Sequence, residues 1–437
     1  MNHSVRPLAA VIAGVTLVGI TACSSPATSA QGPSSGSPVS ITFSSYNYGT
    51  QGAAGTGTQA LLDAFAKVHP EITVVPQAVP TADVLTKAKT DVAAGAAPDV
   101  VQLGYSKLSE AFQTLPVQSI EKIAGNEWSS HVAGLAKPLV DTGQLNGSVA
   151  ALPYTVSVPT LFYNADLFKA AGLDPNKAPA RIGEVRSDAQ AITAAGHHGV
   201  YFGIVDPGKS DYLTQSVIDS AGGSTIDKDG KVTLDSPEAV KGIQAVQSLT
   251  TDGLQPAVTV EDALADFAAG NLGMFVASTA VLGNLKKAAK DHFELRSAGF
   301  PSFSDKPASP TFSGAGLIIL SQDQAKQKAA WQFVKFLTSE AGYTLITQGI
   351  GYLPLRANLA DDPKYLKDYF AKDALLLPAL KQLDAVSPYL SFPGPHGNQA
   401  TVLLQDGAIS PIVLRGADAK ATLTDVANRI RSLVGKK

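Results

Sequence analysis

The chain has 437 residues, 45% hydrophobic and 16% charged, with a formal net charge of -3 and a single cysteine. So mild a charge, with no Lys/Arg-rich block anywhere, argues against a nucleic-acid partner, and one thiol excludes a disulfide framework. The length exceeds the roughly 250–300 residues at which single cores stop growing, so two lobes are expected.

Arg6 precedes an apolar run from Leu8 to Ile20, closed by Ile20-Thr21-Ala22-Cys23. A positive start followed by a short apolar run is a bacterial secretory signal, and residues 20–23 resemble a lipobox, after which the peptide is cut and the cysteine acylated. The run is interrupted before the ~20 apolar residues that a spanning helix needs. Residues 1–22 are therefore expected to be removed as a signal peptide, with Cys23 lipidated and the mature protein anchored outside the cytoplasmic membrane. Cleavage leaves 415 residues and, with Arg6 lost, a net charge of -4. Residues 23–38, almost all Ser, Pro, Gly, Ala, Thr and Gln after the cysteine, read as a flexible tether.

Order begins at the alternating strand Val39 to Phe43, followed by a Gly-rich turn from Gly49 to Gly57. Leu61, Leu62, Phe65 and Val68 then make one face of a helix that stops before Pro70, and Ile72 to Val75 form a second strand. Thr81 is expected to cap a helix carrying Val84, Leu85 and Val92 that ends near Gly95, before a buried strand with Val100, Val101 and Leu103. Further on, Ser236-Pro237 opens a helix with Val240, Ile243, Val246 and Leu249 on one stripe. Thr259 with Asp262, and Ser321 with Gln324, have capping-box spacing. Strands alternating with helices predict an α/β protein of mostly parallel sheets flanked by helices. No fixed-period repeat is present.

The sequence has no H-E-x-x-H, and the glycines from Gly49 to Gly57 do not have dinucleotide spacing. His197 and His198 are adjacent and so point in different directions, no carboxylate lies at i+4, and the pair reads as a solvated loop, so neither metal nor cofactor is expected. Hydrogen-bonding and aromatic residues instead cluster at strand-to-helix turns, where open α/β sheets bind ligands. These are Tyr46-Asn47-Tyr48, Gln102 with Tyr105, Tyr154 to Ser157, Asp206 with Tyr212 after Tyr201 to Val205, Ser278-Thr279 and Gly351-Tyr352. Such residues suit reversible capture of a neutral polyol.

In this arrangement the chain resembles the extracellular solute-binding proteins of ABC importers, in the group serving carbohydrates and glycerol phosphates. The resemblance spans nearly the whole mature chain. Its most specific segments are Ala151 to Tyr154, Leu161 to Phe168, Ala171-Gly172-Leu173, Ala268 to Phe275, Phe312 to Gly316 and Gly351 to Arg356. It implies a two-lobe periplasmic-binding-protein-like fold, a monomer, closing by a hinge over its solute and delivering it to a membrane permease. Carried over, the crossings fall near Ser157, near Gly299 to Pro301 and near Gly351 to Pro354. Lobe one is then 39–157 plus 299–351, and lobe two 158–298 plus 352–437. By similarity to the glycerophosphodiester binders of the group, Ser278, Tyr352, Gly314 and Ala315 face the ligand, with N–H groups of a Gly-Ala-Gly turn holding an oxyanion or hydroxyl.

Two departures bear on the ligand. After Phe392-Pro393-Gly394 those binders carry an arginine for phosphate, and here His396 and Asn398 stand in that run without its charge. Thr81 and Gly104 replace a tyrosine and an aspartate. The expectation is thus a sugar or oligosaccharide, with a glycerophosphodiester or glycerol 3-phosphate as the alternative. A glycoside hydrolase would need two carboxylates facing across the cleft, and Asp99, Asp206 and Asp262 are the candidates. A cell-wall interaction protein would bind no small solute.

Overall fold

The computed structural model describes residues 38–435 apart from 228 and 357; the expected signal peptide, Cys23 and the tether up to residue 37 lie outside the described residues. β1 (Val39–Ser45) pairs in parallel with β2 (Ile72–Ala78), Val39 opposite Ile72, and with β3 (Val100–Gly104). α1 (Ala53–Val68), α2 (Val84–Ala93) and α3 (Tyr105–Thr114) follow these strands in turn. A small hairpin, β4 (Gln144–Leu145) with β5 (Ser148–Val149), leads into β6 (Ala151–Ser157). β7 (Pro159–Asn164), β8 (His198–Phe202), β9 (Leu272–Ser278) and β10 (Leu295–Ala298) belong to a second sheet, and β11 (Ser313–Ile319) returns to the first. The sheet orders are β2-β1-β3-β11-β6 and β10-β7-β9-β8.

The two-lobed α/β architecture is as expected, but the sheets are mixed and not mostly parallel. β11 runs antiparallel to both β3 and β6, and in the second sheet only β8 and β9 are parallel. A central strand buried on both faces reads as a continuous apolar run whichever way its neighbours point, so direction is set by the long-range path of the chain.

Each sheet closes its own core. In the first, Phe43 and Phe65 meet Phe333 edge-on at 5.1 and 5.0 Å. In the second, Phe303 packs on Phe202 at 5.6 Å, and Phe267 on Phe275 at 5.7 Å. Full burial of each such ring contributes about 1.5–3 kcal/mol. Asp99, buried at the head of β3, accepts from Thr42 N at 2.8 Å and pairs with Lys326 at 3.2 Å, tying β1 to the helix Gln324–Leu337.

Several local expectations shift. The stretch Gly49 to Gly57 is only partly a turn, because α1 begins at Ala53. A Cβ on Gly57 would lie 2.5 Å from Ile350 and 2.9 Å from the Gly349 backbone, so that glycine allows α1 to approach the helix Glu340–Gly349 closely. Val68 is exposed. Asp83 and not Thr81 precedes α2, and Asp323 in place of Ser321 caps the next helix through Lys326 N. Ser236 and Thr259 do cap their helices, accepting from Ala239 N and Asp262 N.

Val158 alone links β6 to β7, the shortest passage between the sheets. The return does not fall at Gly299 to Pro301. Ser302 N donates to Ala180 O, while Ser309 N and Thr311 N donate to Ser220 Oγ and Ser216 Oγ, all on the second-sheet side. The chain passes over only at Phe312, which meets Tyr105 edge-on at 5.1 Å. The third passage also lies later than expected, because Leu353 N donates to Val156 O and Arg356 is held by first-lobe carbonyls. No helix among the described residues is long and apolar enough to cross a membrane.

Candidate functional site

A cleft of about 480 Å³ is lined by Tyr46, Thr81, Ala82, Gly104, Ser106, Lys107, Ser157, Ser313, Gly314 and Tyr352 from the first-sheet side. Asp206, Gly208, Lys209, Ser210, Ser278, Ala280, Asn398 and Thr401 line it from the other. Among the expected site residues, Tyr46, Ser157, Asp206, Ser278, Gly314, Tyr352 and Asn398 meet here.

Their positions follow from local structure. Ser45, the last residue of β1, accepts from Asn47 N and Tyr48 N at 3.1 Å and donates to Gln102 Oε1 at 2.6 Å, which fixes the turn that presents Tyr46. Gly314 has φ of +130°, and a Cβ there would sit 1.9 Å from Thr155 O. Only glycine can start β11 this close to β6. Asp206 holds its own loop, accepting from Gly208 N at 2.7 Å; Lys209 follows in the left-handed region and pairs with Asp406 at 2.7 Å. Asp406 lies in a π-helical segment, Gln405–Ile409, which interrupts the helical run between Gly397 and Arg415. Such segments recur at functional sites. Ser278 Oγ accepts from Ala280 N at 3.1 Å after β9.

The remaining expected residues lie just behind the lining. Tyr154 is fully buried, Tyr105 4% and Tyr212 6% exposed, and among the described residues none of the three hydroxyls has a well-aligned hydrogen-bond partner, Tyr154 lying near Thr58 and Tyr212 near Ser278. Gln102 is fully buried with its Nε2 unpartnered, and Asn47 Nδ2, Thr155 Oγ1 and Thr279 Oγ1 are in the same condition. Buried donors without partners are expensive and concentrate where a ligand or water completes them. Ala315 is a correction: the Gly-Ala-Gly run is not a turn but strand, and Ala315 is fully buried between Gly104 and Thr155. His396 precedes the helix Gly397–Leu404, meets Gln399 at 3.1 Å and does not line the cleft.

Burial dominates the electrostatics. It pushes the Tyr352 hydroxyl up to about 12 and raises Tyr46, Tyr154 and Tyr212 further. Tyr352 adds to the rise at each of those three, which marks it as the centre of the aromatic group. The Asp206 carboxyl is also raised, by burial first, with the Gly208 N–H pulling it back. The Lys107 ammonium is lowered by burial, against the attraction of Glu110 and Asp83. Beneath the second wall, Asp211 is pushed up to about 6 by burial and accepts from Tyr389.

Lys107, on α3, and Lys209, in the loop between β8 and the helix Tyr212–Ser220, bring two cations to the lining. Lys209 stands in the run Gly203 to Ser210, whose spacing is G-x-x-x-x-G-K-S, and its ammonium is paired with Asp406. Arg356 does not reach the cleft; it is 4% exposed and donates to three backbone carbonyls. Asp206 is the one carboxylate among the described lining residues, while Asp99 serves Lys326 and Asp262 serves Thr259. The facing pair needed for glycoside hydrolysis is thus not assembled from the candidates. Among the described residues no group of three or more His, Cys, Asp and Glu could hold a metal.

Two α/β lobes that bring hydroxyls, amides and aromatic faces from both sides onto one cleft define a protein that encloses a small polar solute. The chain belongs to the bacterial extracellular solute-binding proteins, a family that its residues 48–344 match. A presumed binding protein of Brucella abortus (strain 2308) is 26% identical over 381 residues, 85% of this chain and 88% of its own. UgpB from Mycobacterium tuberculosis, solved in complex with glycerophosphocholine, superposes with a TM-score of 0.78 at 24% identity, covering 91% of this chain and 98% of its own. The cyclic alpha-maltosyl-1,6-maltose binding protein from Arthrobacter globiformis also has a TM-score of 0.78, at 20% identity, over 91% of this chain and 99% of its own.

Proposed function

We propose that this chain is the solute-capturing subunit of an ABC importer, a monomer held outside the cytoplasmic membrane by lipid on Cys23. It encloses a sugar or oligosaccharide between lobes 39–157 plus 312–356 and 158–311 plus 357–435, and hands it unchanged to the permease. The observation that carries this is the two-walled lining: Tyr46, Ser157 and Tyr352 face Ser278, Asn398 and Thr401, backed by buried donors without partners. Hydroxyls satisfy such donors, and tyrosine faces cover sugar rings. A glycerophosphodiester or glycerol 3-phosphate is the second reading, favoured by Lys107 and Lys209 in the lining. The likeness to proteins named for a cyclic maltose oligosaccharide and crystallised with glycerophosphocholine supports both solute classes.

The test is thermal unfolding of the detergent-solubilised full-length protein against sugars, oligosaccharides and glycerophosphodiesters. A ligand at about 100 times its Kd adds about 2.7 kcal/mol. No response to any member of the panel, or chromatographic evidence that a bound solute is cleaved, would refute the proposal.

A further inference from the structure

The cleft is electrically asymmetric. On the second wall Lys209 is already paired with Asp406 at 2.7 Å, which leaves Asp206 as the uncompensated charge there. On the first wall Lys107 has no carboxylate within 4.0 Å among the described residues. It sits in the first turn of α3, where Gly104, Ser106 and Lys107 all line the cleft. That helix end has no side-chain cap, so its free N–H groups add positive potential beside the ammonium. A second feature lies behind it: the fully buried Gln102 amide, whose Nε2 donor has no well-aligned partner among the described residues, reaches toward the Tyr46 hydroxyl in the lining.

We infer that the solute is a polyol carrying one negative charge, seated on the first turn of α3 with Lys107 as its counter-ion and its hydroxyl-rich end toward Asp206. This rests on the solute-binding reading above and adds charge and orientation to it. One unpaired ammonium matches one negative charge. A phosphomonoester carries about -1.5 to -2 near neutral pH on a single phosphate, and beyond Lys107 the described lining residues of the first wall offer its second charge no cation. A neutral sugar would leave the half-buried ammonium unpaired, forfeiting a charge-assisted hydrogen bond about twice as strong as a neutral one. Both a phosphodiester and a carboxylate of a sugar acid supply the required charge.

Isothermal titration of the full-length protein with four probes decides the matter: glycerophosphoglycerol, a glucuronate-containing disaccharide, glycerol 3-phosphate and maltose. One of the first two is expected to bind about tenfold or more tighter than either of the others, and which one identifies the source of the charge. Its affinity should fall between about 50 mM and about 500 mM NaCl. Lys107→Met should lower its affinity relative to that of maltose by about tenfold or more. Lys87→Met, which removes an ion pair to Asp91 outside the cleft, serves as the control and should leave it unchanged. Glycerol 3-phosphate or maltose binding tightest, or a Lys107→Met change under about twofold, would overturn the inference while leaving the solute-binding reading standing. Silence from all four probes would overturn the inference, and silence across the wider panel would take the underlying reading with it.

Discussion

Replacing Arg356 with methionine should unlock the third passage between the lobes. Its guanidinium donates from Nε to Thr338 O at 3.0 Å, from one terminal nitrogen to Ala133 O at 2.9 Å and from the other to His131 O at 2.7 Å. Glu340 lies 3.4 Å away, and the residue is 4% exposed. Methionine fills much of the volume but donates nothing. A buried acceptor left without a donor costs about 1–3 kcal/mol, so three set a loss of about 3 kcal/mol or more. Both tryptophans of the chain, Trp128 and Trp331, lie on the first-sheet side, and Trp331 contacts His131 edge-on at 5.2 Å. Tryptophan emission during urea unfolding therefore reports the lobe that Arg356 braces. The midpoint should drop, and solute affinity with it, since Tyr352 sits only four residues before the brace. A stability loss below about 1 kcal/mol would refute the argument that these three bonds hold the segment.

Other outcomes follow from the same geometry. Gly314→Ala should destabilise by about 3 kcal/mol or more, adding a clash at Thr155 O to the cost of a positive φ, whereas Gly351→Ala, with φ of +95° and open space around it, should cost about 1–2 kcal/mol; equal urea midpoints would contradict this. Tyr352→Ala should weaken solute binding about tenfold without unfolding the half-buried site, while Tyr212→Phe should cost about threefold or more through its hydroxyl alone; calorimetry showing neither would place both outside the binding surface. Burial, together with the positive Arg356 and Lys335, lowers His131 from 6.5 to about 4, so the folded first lobe binds fewer protons than the unfolded chain between those values. Its stability should fall as pH drops through that window, and a His131→Gln variant with the same slope in tryptophan-monitored unfolding would exclude this histidine as the cause. Cys23→Ala should move the protein from the membrane fraction to the medium or leave it unprocessed, and membrane association persisting in that variant would contradict a lipid anchor on Cys23.

Features set by neighbours in sequence were legible in it. The alternation of Val39 to Phe43 and the stripe Val240, Ile243, Val246 and Leu249 each stand for one face of one element, and Ser236 and Thr259 satisfy N–H groups three residues away. Features set by distant chain were not. Gly57 is glycine because of Ile350, and Gly314 because of Thr155, so each looked like punctuation when read locally. The direction of β11 depends on a path through the other lobe. Within the site, tyrosines and serines at strand ends were visible as a recurring position, but Lys107 and Lys209 gain meaning only from the wall opposite. The π-helical segment that carries Asp406 to Lys209 leaves no pattern that a 3.6-residue period would reveal.

The order in which the strands are threaded has a consequence for how the chain is made. β3 lies between β1 and β11 in the finished sheet, with Val100 opposite Ile319, yet more than two hundred residues separate those partners. A ribosome adding about 5–20 residues per second needs roughly 10–40 s to cover that distance. Throughout that interval β3, and then β6, present open edges of buried, apolar strand, the kind of surface that templates aggregation. The first lobe cannot finish folding on the ribosome as its own residues emerge. It waits for a strand delivered only after the strands of the second sheet have been made, so export of the chain before folding meets no completed first sheet that would have to be taken apart.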